Sequence, residues 1–207
     1  MKSGKPAVLA FLLRFTLIFG LLIVPWPGWN GLYGNYFRSL AGAIYHDDER
    51  QIVLFDANPN GVKSGLDTRI TLGNRALLDS EGKGPVRRTE LDSRSIGWVP
   101  TALTLALVAA TPIPWRRRWL SLLCGFVLIH VFIWLSLQSW VWAHAQEVSL
   151  LTLSSFWAKI AAELDYTLLN QMGVSFTVPV LIWILVTFRQ QDLLSSGNPA
   201  PLDKSAA

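Results

Sequence analysis

The stretch WVPTALTLALVAATPIPWRRRWLSLLCGFVLIHVFIWLSLQSWVWA, Trp98–Ala143, decides how the rest of the chain is read. An apolar run ends in the tight basic corner Pro112–Trp119, and a longer apolar run follows. The pattern predicts a hairpin of two membrane crossings, Ile96–Ile113 and Trp119–Ala143, the second long enough to tilt. Arg116, Arg117 and Arg118 then fall on the cytoplasmic side, because short cytoplasmic loops carry an excess of Lys and Arg. Trp134, Trp140 and Trp142 crowd the far end of the second run, as an aromatic belt does.

Composition supports a membrane protein. Of 207 residues, 51% are hydrophobic and 15% charged, against about 25% charged in an ordinary soluble domain. Most charges sit between Asp47 and Arg94, so the deficit is concentrated in the remaining segments. The net charge of +4 comes from Lys2, Lys5, the arginine triplet and Arg189, which are explained by threading and not by nucleic acid. The one cysteine, Cys124, excludes an internal disulfide and a cysteine-based metal site. Inside an apolar run it reads as a small filler, not as a nucleophile with a base beside it.

Further crossings are expected at Ala7–Val24 and Val174–Phe188, the latter kinked at Pro179 and extending back towards Thr167. The first also fits a cleaved signal peptide. An uncleaved anchor is favoured, since Pro25-Trp26-Pro27-Gly28-Trp29 offers no small-residue cleavage site. Arg14 reads as a side chain snorkelling to the cytoplasmic headgroups, with a buried pairing role as the alternative. The expected fold is thus a mainly α protein of four transmembrane helices, multi-pass, with both termini cytoplasmic. Its segments are 1–25, 26–95, 96–143 with the corner 113–118, 144–173, 174–189 and a disordered tail 190–207.

Two external loops follow from that threading. In the first, Tyr33, Tyr36, Phe37, Leu40 and Ile44 recur at helical spacing and predict an interfacial segment. Gln51–Phe55 and Thr68–Leu72, separated by the turn signal Asn58-Pro59-Asn60-Gly61, predict a hairpin, with Val86–Leu91 as a third strand. Residues 46–94 hold eight Lys or Arg and nine Asp or Glu, a nearly neutral block too small for a robust core of its own. The second loop, Gln146–Met172, spaces Leu150, Leu153, Trp157, Ile160, Ala161, Leu164 and Leu168 as an amphipathic helix.

Candidate chemistry is sparse. His130 and Gln138 share a face of the long apolar run and read as helix–helix hydrogen-bonding groups, a proton relay being the alternative. His46-Asp47-Asp48-Glu49 reads as a solvated acidic turn; a hard-cation site is the alternative. His144 and Glu147, three residues apart at the external edge, are the better-placed weak catalytic candidates, with His46 behind them; an interfacial cap is the simpler role. No phosphate loop, His-Glu-x-x-His helix, Gly-x-Ser-x-Gly elbow or Ser-x-x-Lys pair occurs, and no cofactor is implied.

The segments Gly97-Trp98-Val99-Pro100…Ala110-Thr111-Pro112…Arg116-Arg117-Arg118…Gly125 and Tyr166…Val178-Pro179-Val180-Leu181-Ile182-Trp183 resemble small exosortase-associated bacterial membrane proteins. That resemblance implies an accessory of a protein-sorting system in a bacterial inner membrane, and it does not imply catalysis; the leading expectation is a non-enzymatic protein. It carries over no catalytic residue, because exosortases act towards the external face and Cys124 lies in the cytoplasmic half. The expected partners are the lipid bilayer and a membrane or envelope protein. The alternative is a membrane-embedded enzyme at the external interface; small-solute transport, lacking paired broken helices, ranks last.

Overall fold

The computed structural model describes residues 5–24, 26–45, 51–59, 61, 65–79, 84–170 and 172–188. Helix α1 spans Lys5–Ile23 and α2 spans Trp29–Ile44. Strands β1 (Gln51–Ala57), β2 (Thr68–Asn74) and β3 (Val86–Leu91) form an antiparallel sheet in the order β1-β2-β3. A π-helical turn at Arg94–Trp98 leads into α3 (Val99–Ala110), and α4 (Trp115–His144), α5 (Ser155–Asp165) and α6 (Met172–Thr187) follow.

Alternation in the strands sets the sheet. Val53 pairs with Leu72 and Phe55 with Ile70, so these side chains share one face. On the opposite face Arg69 lies across from Glu90, and the two form a 3.0 Å ion pair. The apolar face has no core of its own. Val53, Ile70, Leu72 and Leu91 pack into one cluster with Tyr33, Phe37 and Ala41 of α2 and Ile133, Leu137, Trp140 and Val141 of α4. Ile70 and Leu72 are fully buried there, each contributing about 1.5–3 kcal/mol by removal from water. The strands lie where the sequence places them, the first two running two residues further.

The second core is a helix bundle with α3 at its centre, packed against α1, α4 and α6. Small residues make this possible: Ala102, Ala106 and Ala110 are buried, and a Cβ on Gly125 of α4 would lie 3.3 Å from Thr104 Cγ2. The buried threonines are satisfied within the helix, Thr101 donating to Gly97 O at 2.7 Å and Thr104 to Pro100 O at 2.9 Å. Pro100 sits in the first turn of α3, where its missing N–H removes no helical bond.

This architecture corrects the expectation of four transmembrane helices. Among the described residues, one helix, Trp115–His144, is long and apolar enough to cross a membrane by itself. Its 30 residues rise about 45 Å, more than the ~30 Å of a hydrocarbon layer. The apolar helices Ala7–Ile23 and Arg94–Ala110 have no more than 17 residues, a rise of about 26 Å, and the second opens with the π-helical turn. At the C-terminal end, Ser155–Leu168 and Gly173–Thr187 meet at 82°, so the closing segment is bent and not one straight crossing. Apolar composition alone does not distinguish a lipid-facing span from a helix buried by its neighbours, and α3 is largely the latter.

Two smaller corrections accompany it. Gln146–Met172 is not one amphipathic helix: turns occupy residues 145–149, an irregular segment follows, and α5 begins only at Ser155. Trp157, expected on its apolar packing face, is exposed, whereas Ala161 is buried. The arginine corner is also more than a topological marker. Arg118 Nη2 donates to Thr111 O and Ile113 O, each at 3.2 Å, and Arg117 Nη2 donates to Thr187 O. Both thus satisfy carbonyls where α3 and α6 end, and cations are favoured at helix C-termini. Arg116 of the triplet is exposed.

Candidate functional site

Three places combine space with polar chemistry. The first is a cavity of about 490 Å³ where β3 meets the ends of α4 and α5. Arg87, Thr89 and Glu90 of β3, Asp92 and Ser95 of the following turn, Trp140 and His144 of α4, and Asp165 of α5 line it. His144 reaches it as the last residue of the long helix. Its Nδ1 lies 2.9 Å from Trp140 O, and a carbonyl only accepts, so Nδ1 carries the proton and Nε2 is left for the cavity. The imidazole also stacks on the Trp140 ring, with centroids 4.8 Å apart.

Most polar groups of this lining are already engaged. Glu90 is held by Arg69, and the Asp92 carboxylate accepts from the Arg94 amide at 3.0 Å and from Ser95 N and Oγ. Arg87 makes a loose 3.5 Å contact with Glu147, both half exposed. Asp165 differs: its Oδ1 is buried with no hydrogen-bond partner. Burial pushes its carboxyl above the usual carboxylate range, and the charge of His144 pulls the other way. A buried oxygen without a donor is uncommon and calls for an explanation.

The second place is a polar network that ties α2 to the sheet. Asp67 receives Ser93 N at 2.8 Å and Ser93 Oγ at 2.6 Å, and Arg38 Nη1 lies 3.8 Å from its carboxylate. Arg38 also donates to Thr68 Oγ1 and Asn35 Oδ1. An adjoining cavity of about 500 Å³ is bounded by Arg38, Asp67 and Ser93 with Trp29 and Trp98. Since each charge is answered within the network, its role is to fix the sheet against α2.

The third place is an apolar groove of about 480 Å³ between α2 and α4, lined by Tyr36, Leu40, Ile44, Phe126, His130 and Trp134. His130 Nδ1 donates to Phe126 O at 2.8 Å, so Nε2 accepts from the Tyr36 hydroxyl at 3.1 Å. His130 therefore bonds across helices as the sequence implied, with Tyr36 as partner. Gln138 lies two turns on, half buried on the same helix.

The remaining sequence candidates scatter. Glu147 stands at the mouth of the first cavity through Arg87; Cys124 is exposed on α4; Arg14 is exposed on α1. His46, Lys2 and Arg189 lie outside the described residues, and the Lys5 side chain is not described. Sequence reasoning missed Asp165, Asp67 and Arg38. Asp165 showed only as a polar position flanking an amphipathic pattern; its proximity to His144 depends on the turn at residues 145–149, which brings α5 back over the end of α4. Among the described residues no three His, Cys, Asp or Glu side chains gather as a metal-ion site. The chain matches no protein-family model, no curated protein and no solved structure.

Proposed function

We propose that this chain is a non-enzymatic, membrane-anchored accessory protein of the bacterial inner membrane that presents its sheet to an envelope protein partner. Trp115–His144 crosses the bilayer with its arginine end towards the cytoplasm and its His144 end, with the sheet and α5, on the outside. The observation that carries this reading is the shared core. Val53, Ile70 and Leu72 of the sheet share one buried cluster with Tyr33 and Phe37 of α2 and with Ile133, Leu137 and Trp140 of the long helix, so the sheet is fixed to the anchor and not tethered by a linker. The apolar exterior of the helices supports a lipid setting. Leu9, Leu13 and Leu17 of α1, Leu123 and Val127 of α4, and Leu181 and Leu185 of α6 are all exposed, more apolar surface than a soluble monomer leaves open. Edge strands β1 and β3, with Arg88 exposed on the latter, offer the surface for a partner. The resemblance to exosortase-associated proteins directs the search for that partner to envelope protein sorting.

A test combines anchoring, orientation and capture. In a Cys124→Ser background, single cysteines at Glu147 and Arg116 are challenged in whole cells with a membrane-impermeant maleimide, and a photo-crosslinker replaces Arg88. The expected result is retention in carbonate-washed membranes, labelling at position 147 only, and a discrete crosslinked envelope protein. Extraction by carbonate, labelling at 116 only, or no crosslinked species overturns the reading. One observation favours the enzymatic alternative, namely His144 and Asp165 facing one cavity. Full retention of phenotype after alanine substitution of His144, Glu147 and His46 would dispose of it.

A further inference from the structure

We propose that the lipid-facing stripe of α4 is the seam on which a second copy of this chain docks, parallel and in register, with the Gln138 side chains of the two copies hydrogen-bonded to each other. The inference rests on the membrane reading above and adds to it a contact within the bilayer.

Leu120, Cys124, Val127, Val131, Trp134 and Gln138 follow one another along α4 at steps of 4, 3, 4, 3 and 4 residues. That rhythm puts them on one stripe of the helix in two rows, each spaced by seven residues: Leu120, Val127 and Trp134 beside Cys124, Val131 and Gln138. The stripe faces away from the protein, since the first five are exposed and Gln138 is half-buried. The hydroxyl and imidazole groups of this run are answered inside the chain: Ser121 by Val186 O, His130 by Tyr36 and Phe126 O, Ser136 by Phe132 O and Ser139 by Ser136 O. Gln138 is the exception. Among the described residues nothing bonds its amide, which is not closed off from the surface.

Depth makes that amide matter. Counted from Arg118 at 1.5 Å per residue, Gln138 lies about 30 Å up the helix. That is the outer boundary of the hydrocarbon layer for an upright helix and inside it for a tilted one. Lipid tails contact leucine and valine as well as another helix does, so the apolar part of the stripe selects no partner by itself; an amide short of hydrogen bonds does. A primary amide carries one carbonyl and two N–H groups, so two copies of it donate to each other. Any other helix would need its own amide or hydroxyl at that level, whereas a second copy brings it by construction. Both copies share one orientation, fixed by the arginine corner, so the pair is parallel and equivalent residues meet across a twofold axis. A single polar residue in such a seam fixes the register. With Gln138 opposite its counterpart, Cys124, two heptads below in the same row, falls opposite its own. The exposed Arg116 enters this face only at headgroup level, where water and anionic lipid screen the like charges.

The experiment uses the full chain in cell membranes, where Cys124 is its one thiol. Copper–phenanthroline, a lipid-soluble oxidant, is added, and disulfide-linked dimer is read on non-reducing gels. The expected result is a dimer of the chain through Cys124. In a Cys124→Ser background, Val127→Cys and Val131→Cys should cross-link as well, whereas Leu185→Cys, exposed on α6 away from the seam, should not. Sedimentation equilibrium of the purified chain in maltoside micelles then measures dissociation. Gln138→Leu should raise the dissociation constant about tenfold, the worth of the paired amides, and Gln138→Asn, which keeps an amide, should restore most of it. Since Gln138 makes no bond within the described chain, both variants should keep the parent's circular dichroism spectrum, which controls for folding. Cross-linking through Cys124 no stronger than through Leu185→Cys, or an unchanged constant in Gln138→Leu, overturns the proposal. A Cys124 adduct with a different membrane protein in place of the dimer overturns the second copy as occupant. A chain extracted by carbonate overturns the membrane reading and the seam with it; a chain retained in membranes as a monomer overturns the seam alone.

Discussion

Asp165 and His144 belong to different helices, and neither acquires its character from its neighbours in sequence. Burial disfavours the Asp165 carboxylate, so the folded chain holds that proton to a higher pH than the unfolded chain, where the group titrates near 3.8. Stability is therefore greatest below that value and declines as pH rises through the raised folded value. Asp165→Asn abolishes the titration. In the absence of lipid, its melting temperature at neutral pH should exceed the parent's by on the order of 2 °C, and the advantage should vanish below about pH 4. Circular dichroism melts across that range check it; an advantage that persists in acid would count against a desolvated carboxyl. His144 was legible as a candidate because its distance from the basic corner placed it at the far membrane edge. Asp165 was not, since a single acidic residue near the end of a short helix carries no local mark of what folds over it.

At the scale of elements, close approach decides more than hydrophobicity does. The turn Arg94–Trp98 carries Gly97 directly under the ring of Tyr33, where an added Cβ would overlap the phenol oxygen. Tyr33 is itself buried and packed at 5.3 Å on Trp98, so it has little room to retreat. Gly97→Ala should cost about 1–3 kcal/mol as an overpacking change, read by reversible unfolding in mixed micelles. No loss would mean that the α2–α3 junction has room to relax around the added methyl. The strands were readable from their period of two and their turn residues, and α2 from the recurrence of Tyr33 and Phe37 along one helical face. That α3 is a buried helix and not a span was not readable, because Ala102, Ala106 and Val108 look the same to a neighbouring helix as to lipid. The boundary between α5 and α6 was readable near Gly173, but the 82° angle between them was not.

For the whole molecule, the sheet and the long helix form one unit. A fragment of residues 51–95 lacks Tyr33, Phe37, Ala41, Ile133, Leu137, Trp140, Val141 and Val148, most of the buried cluster that holds Ile70 and Leu72. An isolated three-stranded piece of this size cannot bury enough to hold its shape. It should show collapsed amide dispersion in solution NMR, whereas a longer fragment, residues 29–148, keeps the sheet resonances in micelles. A folded isolated sheet fragment would show the sheet to be a separate domain and would remove the main support for a fixed presentation. The sequence by itself determined the mainly helical character, the strands, the apolar long helix and the basic corner, because these rest on local periodicity and composition. Only the tertiary structure decided that α3 is a buried centre and not a free crossing, that Arg117 and Arg118 close helix ends, and that His144 meets Asp165. Each of these depends on which distant surfaces are close enough to exclude water and pair polar groups, and that distance is written nowhere along the chain.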